Sequence, residues 1–305
     1  MTSVFIFPGQ GSQKTGMGKD LYDNFASSKE IFDLADKALG FEISKLCFVG
    51  PDDNLKPTEI AQPAILTVSI AAFSALNKVP QAVAGHSLGE YSALVAAKVI
   101  SFEDAVRVVN LRGKFMQEAV PAGLGAMSAI LGLDRNSVKT ACQAVSAHNK
   151  WIVEPANFNS PGQIVISGTK EGVEEASRLC KEAGAKKVIP LAVSAPFHCS
   201  LMKPAAEKLA IELDKINFSN ASIPVYSNVT ATAQTDGSKI KELLVRQVTS
   251  PVLWEDTLKA LQVSGFDTYV EVGSGKILSG LVKKTVENAK IYNVEDTSSL
   301  KGVVL

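Results

Sequence analysis

A short apolar run, Ala82-Val83-Ala84, passes into a helically spaced apolar pattern over 88–97 through Gly85-His86-Ser87-Leu88-Gly89. A strand that becomes a helix in so few residues needs glycine on both sides of the turn, and the helix must then fold back over the sheet it left. That is the βα unit of a parallel sheet. The same alternation recurs along the chain: a strand-like run over 4–7, helical patterns over 28–39, 59–77 (with Thr58 as its cap) and 102–118, and later short strand-like runs over 225–228 and 268–272. The pattern predicts an α/β protein with a mainly parallel sheet covered by helices on both faces.

The order of elements changes near Gly125. Strand-like runs over 126–133, 152–156, 163–168 and 187–193 are interleaved with helical patterns over 137–147 and 172–183. The order β-α-β-β-α-β is that of ferredoxin-like folds. The expected organisation is a hydrolase-like large domain made of residues 1–124 and 193–305, with a ferredoxin-like small subdomain, 125–192, inserted in it. Ser194-Ala195-Pro196 would close the insertion. With 305 residues, 46% of them hydrophobic, the chain can fill one large core and a modest second one.

Charge narrows the function classes. Lys and Arg total 31 and so do Asp and Glu, which removes the electrostatic reason to expect a nucleic-acid binder or a polybasic membrane protein. The first residues carry no basic stretch leading into a long apolar run, so neither a signal peptide nor a membrane anchor is expected, and the expected location is cytoplasmic. Cys47, Cys142, Cys180 and Cys199 are scattered without a Cys-x-x-Cys pair and read as buried thiols rather than disulfides or a zinc site.

Gly-x-Ser-x-Gly at a strand–helix junction is the setting in which a serine hydroxyl is lifted clear of a sheet, beside the free N–H groups of the following helix. The bland reading of Gly85–Gly89 is an ordinary glycine-rich turn; its placement favours Ser87 as a nucleophile. A serine needs a base, and the chain has three histidines. His86 adjoins Ser87 and should project away from it, supporting the turn. His148, next to Asn149 and Lys150, reads as a solvated residue. His198 remains, after Ala195-Pro196-Phe197 at the junction of the two expected domains.

No obvious acid completes a triad. Asp104 and Asp134 are the only aspartates between Ser87 and His198, and 107 residues follow His198 (305 − 198), unlike the near-terminal histidine of α/β-hydrolases. A dyad, or a histidine oriented by a group other than a carboxylate, is expected. Near the start, Phe7-Pro8-Gly9-Gln10-Gly11-Ser12-Gln13 is a glycine-rich turn after a strand. It lacks the ending of a P-loop and the third glycine of a dinucleotide fingerprint, and spacing alone leaves open whether it cradles phosphate or supplies an oxyanion-hole N–H.

These segments, with Arg112-Gly113-Lys114-Phe115-Met116-Gln117-Glu118, Asn157-Phe158-Asn159-Ser160-Pro161-Gly162-Gln163 and Arg246-Gln247-Val248-Thr249-Ser250-Pro251, stand in one order along essentially the whole chain. In this the sequence resembles bacterial malonyl-CoA:acyl carrier protein transacylases and the acyltransferase domains of fatty-acid and polyketide synthases. The resemblance implies Ser87 as the acylated nucleophile, His198 as its base, the backbone N–H groups of Gln10 and Leu88 as the oxyanion hole, and Arg112 as the receptor of the malonyl carboxylate. It implies that the Gln247 main-chain carbonyl orients His198, and it puts Asn157 near the site. Phe197 before His198 resembles the Phe-His pair of malonyl-selective acyltransferase domains, and reads equally as a packing residue.

The same resemblance implies malonyl-CoA as a substrate rather than a cofactor, no cofactor or metal, holo acyl carrier protein as acceptor, no nucleic-acid or membrane partner, and a monomer. Lys186-Lys187 and Lys283-Lys284 are candidate contacts for an acidic carrier protein, beside the plainer reading of solvated lysines. The alternatives are a serine thioesterase or esterase built on the same turn, a polyketide-pathway acyltransferase, and a non-catalytic carrier-docking module.

Overall fold

A computed structural model of the chain describes residues 2–148, 151–193 and 195–304. Its strands are β1 (Ser3–Phe7), β2 (Ala82–Gly85), β3 (Gly125–Leu131), β4 (Val153–Ser160), β5 (Gln163–Thr169), β6 (Lys187–Pro190), β7 (Val225–Tyr226), β8 (Ala233–Gln234), β9 (Thr268–Val272) and β10 (Lys290–Val294). Six of them form one sheet in the order β10-β9-β1-β2-β7-β8. Every pairing in it is parallel except β7 with β8.

Strands β1, β2 and β9 are buried along their whole length, which is why β1 and β2 read as near-continuous apolar runs rather than alternating ones; β9 also buries Thr268 and Glu271. Their two faces feed separate clusters. Phe5, Phe7, Val83 and Val270 point into the main core, and Val4, Ile6, Ala82 and Tyr269 pack with Trp254, Leu258 and Leu281 on the other side. The helix Thr58–Leu76 is long and apolar enough to cross a membrane by length and composition alone, but it is the central core helix, buried from Ala61 to Ala72 against the helices Ala26–Leu39 and Phe102–Glu118.

Thr58 does not cap that helix. The helix begins at Thr58 itself, after an extended Pro57, and the Thr58 hydroxyl faces Gln10 and Gln117 instead.

The remaining four strands form an antiparallel sheet in the order β4-β5-β3-β6. Helices Arg135–His148 and Lys170–Glu182 cover one face of it, where Ile130, Phe158, Ile164 and Ile166 meet Val138, Cys142, Val173 and Cys180. The opposite face sends Met127, Ala156 and Val165 into the main core. Strand β6 ends at Pro190, short of 193, because beyond Leu191 the chain closes a tight turn in which the Val193 N–H donates to the Leu191 carbonyl. Strand β4 runs on to Ser160 past two register shifts, and its middle is tied to the large sheet's connections: the Phe158 N–H donates to the Val252 carbonyl and the Val252 N–H to the Ala156 carbonyl, each at 2.9 Å. All four cysteines are free and buried, and burial pushes their thiols above the ordinary range.

Candidate active site

Strands β1, β2 and β7 are neighbours and run parallel, so the loops at their carboxyl ends meet at one edge of the sheet. They carry Gln10, Ser87 and Asn228. The turn after β2 depends on its glycines: a Cβ on Gly85 would lie 1.9 Å from the Gly89 carbonyl oxygen, and one on Gly89 would lie 2.0 Å from the carbonyl oxygen of Phe7. Ser87 sits between them at φ 50°, ψ −106°, a conformation that L residues adopt only when their surroundings impose it. Asn228 is one source of that constraint. Its Oδ1 accepts the Ser87 N–H at 2.6 Å and its Nδ2 donates to the Gly85 carbonyl at 2.7 Å.

His198, itself at φ 58° and 4% exposed, places Nε2 2.8 Å from Ser87 Oγ and Nδ1 2.8 Å from the Gln247 carbonyl oxygen. A carbonyl only accepts, so Nδ1 carries the proton and Nε2 presents its lone pair to the serine hydroxyl, which donates to it. The third member of the chain is therefore a main-chain oxygen, as the missing aspartate foreshadowed. Burial, with the nearby Arg112 cation adding to it, holds the His198 pKa down at about 3, so the imidazole is neutral and able to accept a proton.

His86 turns the other way, bonding Asn159 Oδ1 at 2.8 Å and meeting Trp254 edge-on. The expectation for the His148 side chain, with Asn149 and Lys150, lies outside the described residues.

Arg112 is 1% exposed and has no carboxylate within ion-pair distance among the described residues. Its Nη1 donates to Gln62 Oε1 at 2.8 Å, and its Nη2 to Gln247 Oε1 at 2.9 Å and to Ser87 Oγ at 3.2 Å. The guanidinium lies 5.6 Å from the Tyr91 ring centre, close enough to interact with the Tyr91 hydroxyl. A buried cation held only by neutral groups is poised for an anion.

A cavity of about 480 Å³ joins these groups, lined by Gln10, Ser87, Leu88, Arg112, Asn157, Phe197 and His198, with Gln62, Met116 and Met127 among its walls. No protein acceptor takes the backbone N–H of Gln10 or Leu88 among the described residues, as expected of a loop end and a first helical residue. A larger cavity of about 670 Å³ runs along β3, β6 and the helix Lys170–Glu182 and shares Met127, Leu191 and Val193 with the first, but it does not reach Ser87. The paired serine and histidine line the smaller one. Lys186, Lys187, Lys283 and Lys284 are exposed and line neither. Among the described residues no group of His, Cys, Asp and Glu is arranged to hold a metal ion.

Three polar residues of this constellation carried no assignment from sequence: Gln62, Asn228 and Glu90. Glu90 is 2% exposed, and its Oε2 accepts from the Gln247 side-chain amide at 2.7 Å and from the Asn228 N–H at 3.1 Å. Burial raises its pKa to about 7, against the pull of these bonds and of Arg112.

The model of the family described as the acyl transferase domain matches residues 4–301. The malonyl CoA-acyl carrier protein transacylase of Bacillus subtilis is 51% identical over 301 residues, covering 98% of this chain and 95% of its own. The chain belongs to this transacylase family. Among solved structures, an acyl carrier protein S-malonyltransferase from Vibrio cholerae superposes on this chain with a TM-score of 0.97 at 45% identity, each chain covered in full (100%). A malonyl-transacylase solved in complex with its type II PKS acyl-carrier protein gives 0.96 at 46% identity, covering 99% of this chain and 98% of its own.

Proposed function

We propose that this protein transfers the malonyl group of malonyl-CoA to the phosphopantetheine thiol of acyl carrier protein through a malonyl-serine ester on Ser87. The observation that carries the reading is Arg112. A buried guanidinium that touches the nucleophile's oxygen, in a pocket whose other charged lining residue is the exposed Lys56, is a receptor for a carboxylate placed a few bonds from the carbonyl under attack. Malonyl has that spacing; acetyl would leave the cation buried and unpaired.

In the first half-reaction His198 Nε2 takes the Ser87 proton as Oγ bonds to the thioester carbon. The resulting oxyanion accepts from the free N–H groups of Gln10 and Leu88, and the intermediate collapses as the C–S bond breaks, with the imidazolium returning its proton to the coenzyme A thiolate. In the second half the carrier thiol gives its proton to His198, its sulfur attacks the ester carbon, and Ser87 leaves as the hydroxyl. The Gln247 carbonyl keeps the proton-bearing Nδ1 in place throughout. Asn157 and Phe197 line the wall facing the acyl group, Phe197 restricting room for a branch at the α-carbon.

Nucleophile, base, oxyanion donors and carboxylate receptor are all protein groups of a single chain, which supports a cofactor-free reaction by a monomer. Use of a coenzyme A thioester supports a cytoplasmic location. We further assign residues 125–192 as an inserted subdomain, supported by the separate cluster that its sheet and two helices form. Brief exposure to malonyl-CoA followed by mass spectrometry tests the reaction: one malonyl on Ser87, discharged by holo carrier protein, is expected, and full transfer activity without an acyl-enzyme would refute it. Carrier proteins of fatty-acid and polyketide type, assayed side by side, assign the pathway.

A further inference from the structure

Glu90 is a carboxylate buried one turn beyond the nucleophile with no cation in ion-pair contact among the described residues. Such a group is costly unless its hydrogen bonds matter. Beside one from the Ser227 hydroxyl, two of its bonds lead to the residues that build the site. One is to the main chain of Asn228, whose side chain holds the Ser87 turn; the other is to the Gln247 side-chain amide.

The Gln247 amide has two orientations to choose from. In the one observed, Nε2 faces acceptors only, the Ser87 carbonyl at 3.1 Å and Glu90 Oε2 at 2.7 Å, while Oε1 faces Arg112 Nη2 at 2.9 Å. Flipped, the amide would set N–H groups against the N–H groups of the guanidinium and an oxygen against the carboxylate. An acceptor oxygen at Glu90 therefore fixes which end of the amide Arg112 meets.

We propose that Glu90 is a positioning residue for acyl-group selectivity: through the Gln247 amide it holds Arg112 in the orientation that receives a substrate carboxylate beside Ser87. The inference rests on the malonyl-transfer reading above.

The test is the rate of Ser87 acylation by malonyl-CoA and by acetyl-CoA, followed by mass spectrometry in single turnovers, for the wild type, Glu90→Met, Glu90→Gln, Gln247→Met and the Glu90→Met/Gln247→Met double variant. Glu90→Met should lower the malonyl-to-acetyl ratio by about tenfold or more, the scale of one misplaced polar contact in a specificity pocket. Glu90→Gln, whose amide oxygen can accept both N–H groups, should return it to within about threefold of wild type, and Glu90→Met should add less than about threefold in the Gln247→Met background.

A merely structural role would lower both acylation rates together, and that result overturns the inference, as do independent effects that multiply in the double variant. If Glu90→Met does not fold, Glu90→Asp, which withdraws the acceptor by one methylene, replaces it with the same two outcomes. Failure of wild-type protein to become malonylated on Ser87 would break the functional reading instead, whereas wild-type malonylation with an unaltered ratio in the Glu90 variant breaks this inference alone.

Discussion

In the six-stranded sheet β1, β2 and β9 are buried on both faces, whereas β3 of the four-stranded sheet sends Met127 and Ala129 to the main core and Ala126 and Ile130 to its own helices. The parallel strands are interchangeable in the middle and distinctive at their ends, where the loops after β1, β2 and β7 deliver Gln10, Ser87 and Asn228 to one point. The antiparallel strands work through their faces: Met127 from β3 and Asn157 from β4 line the cleft that also holds the serine–histidine pair. On the proposed function, the contrast means that the site of reaction follows loop ends, while the shape of the acyl pocket follows a sheet face.

Substitutions in the two regions should separate along that line. Ser87→Ala should reduce transfer by about 10⁴-fold or more with the fold intact, measured by carrier-protein malonylation and by thermal unfolding. Arg112→Ala should cost malonyl transfer roughly 10²–10³-fold and acetyl transfer much less, because only the former loses a desolvated charge pair.

In the small sheet, Ile166→Ala should instead cost about 2–5 kcal/mol of stability in urea unfolding while the folded fraction keeps its turnover within about threefold, since Ile166 faces the two helices and not the cleft. A loss of catalysis there at full stability would break the comparison.

The smallest effect concerns pH. Glu90, raised to about 7 from an ordinary 4.5, binds a proton in the native state before the unfolded state does, so it adds stability as pH falls across that window. His198, held at about 3 against an ordinary 6.5, does the opposite: the unfolded chain takes the proton first and stability is lost as pH falls. Glu90→Gln removes the first contribution only, so its urea midpoint should fall more steeply than that of wild type between about pH 7 and 4.5. The same His198 value predicts no drop in wild-type kcat/KM for malonyl-CoA at the ordinary histidine pKa.

Much of this was readable from local pattern. The turn at Ser87 is encoded in five consecutive residues, the parallel sheet in runs of apolar residues, and His198 stands out because the alternatives are so few. What escaped reading has a common cause. Glu90 looks like any polar residue at the start of a helix, and its meaning comes from Asn228 and Gln247, 138 and 157 positions away. Gln62 sits in an apolar helix where nothing marks it as the partner of Arg112. Strand β8, two residues long, is too short to show a period, and β7, though legible as a run over 225–228, gives no sign that it brings Asn228 under the turn.

The Gln247 carbonyl that faces His198 belongs to the backbone, and this sets it apart from the aspartate of a catalytic triad. No exchange of side chain can delete it; mutation can only shift it, by altering how the helix Gly237–Gln247 ends. The tautomer of the base is thus written into the path of the main chain, and the genetic code has no single-letter change that erases it.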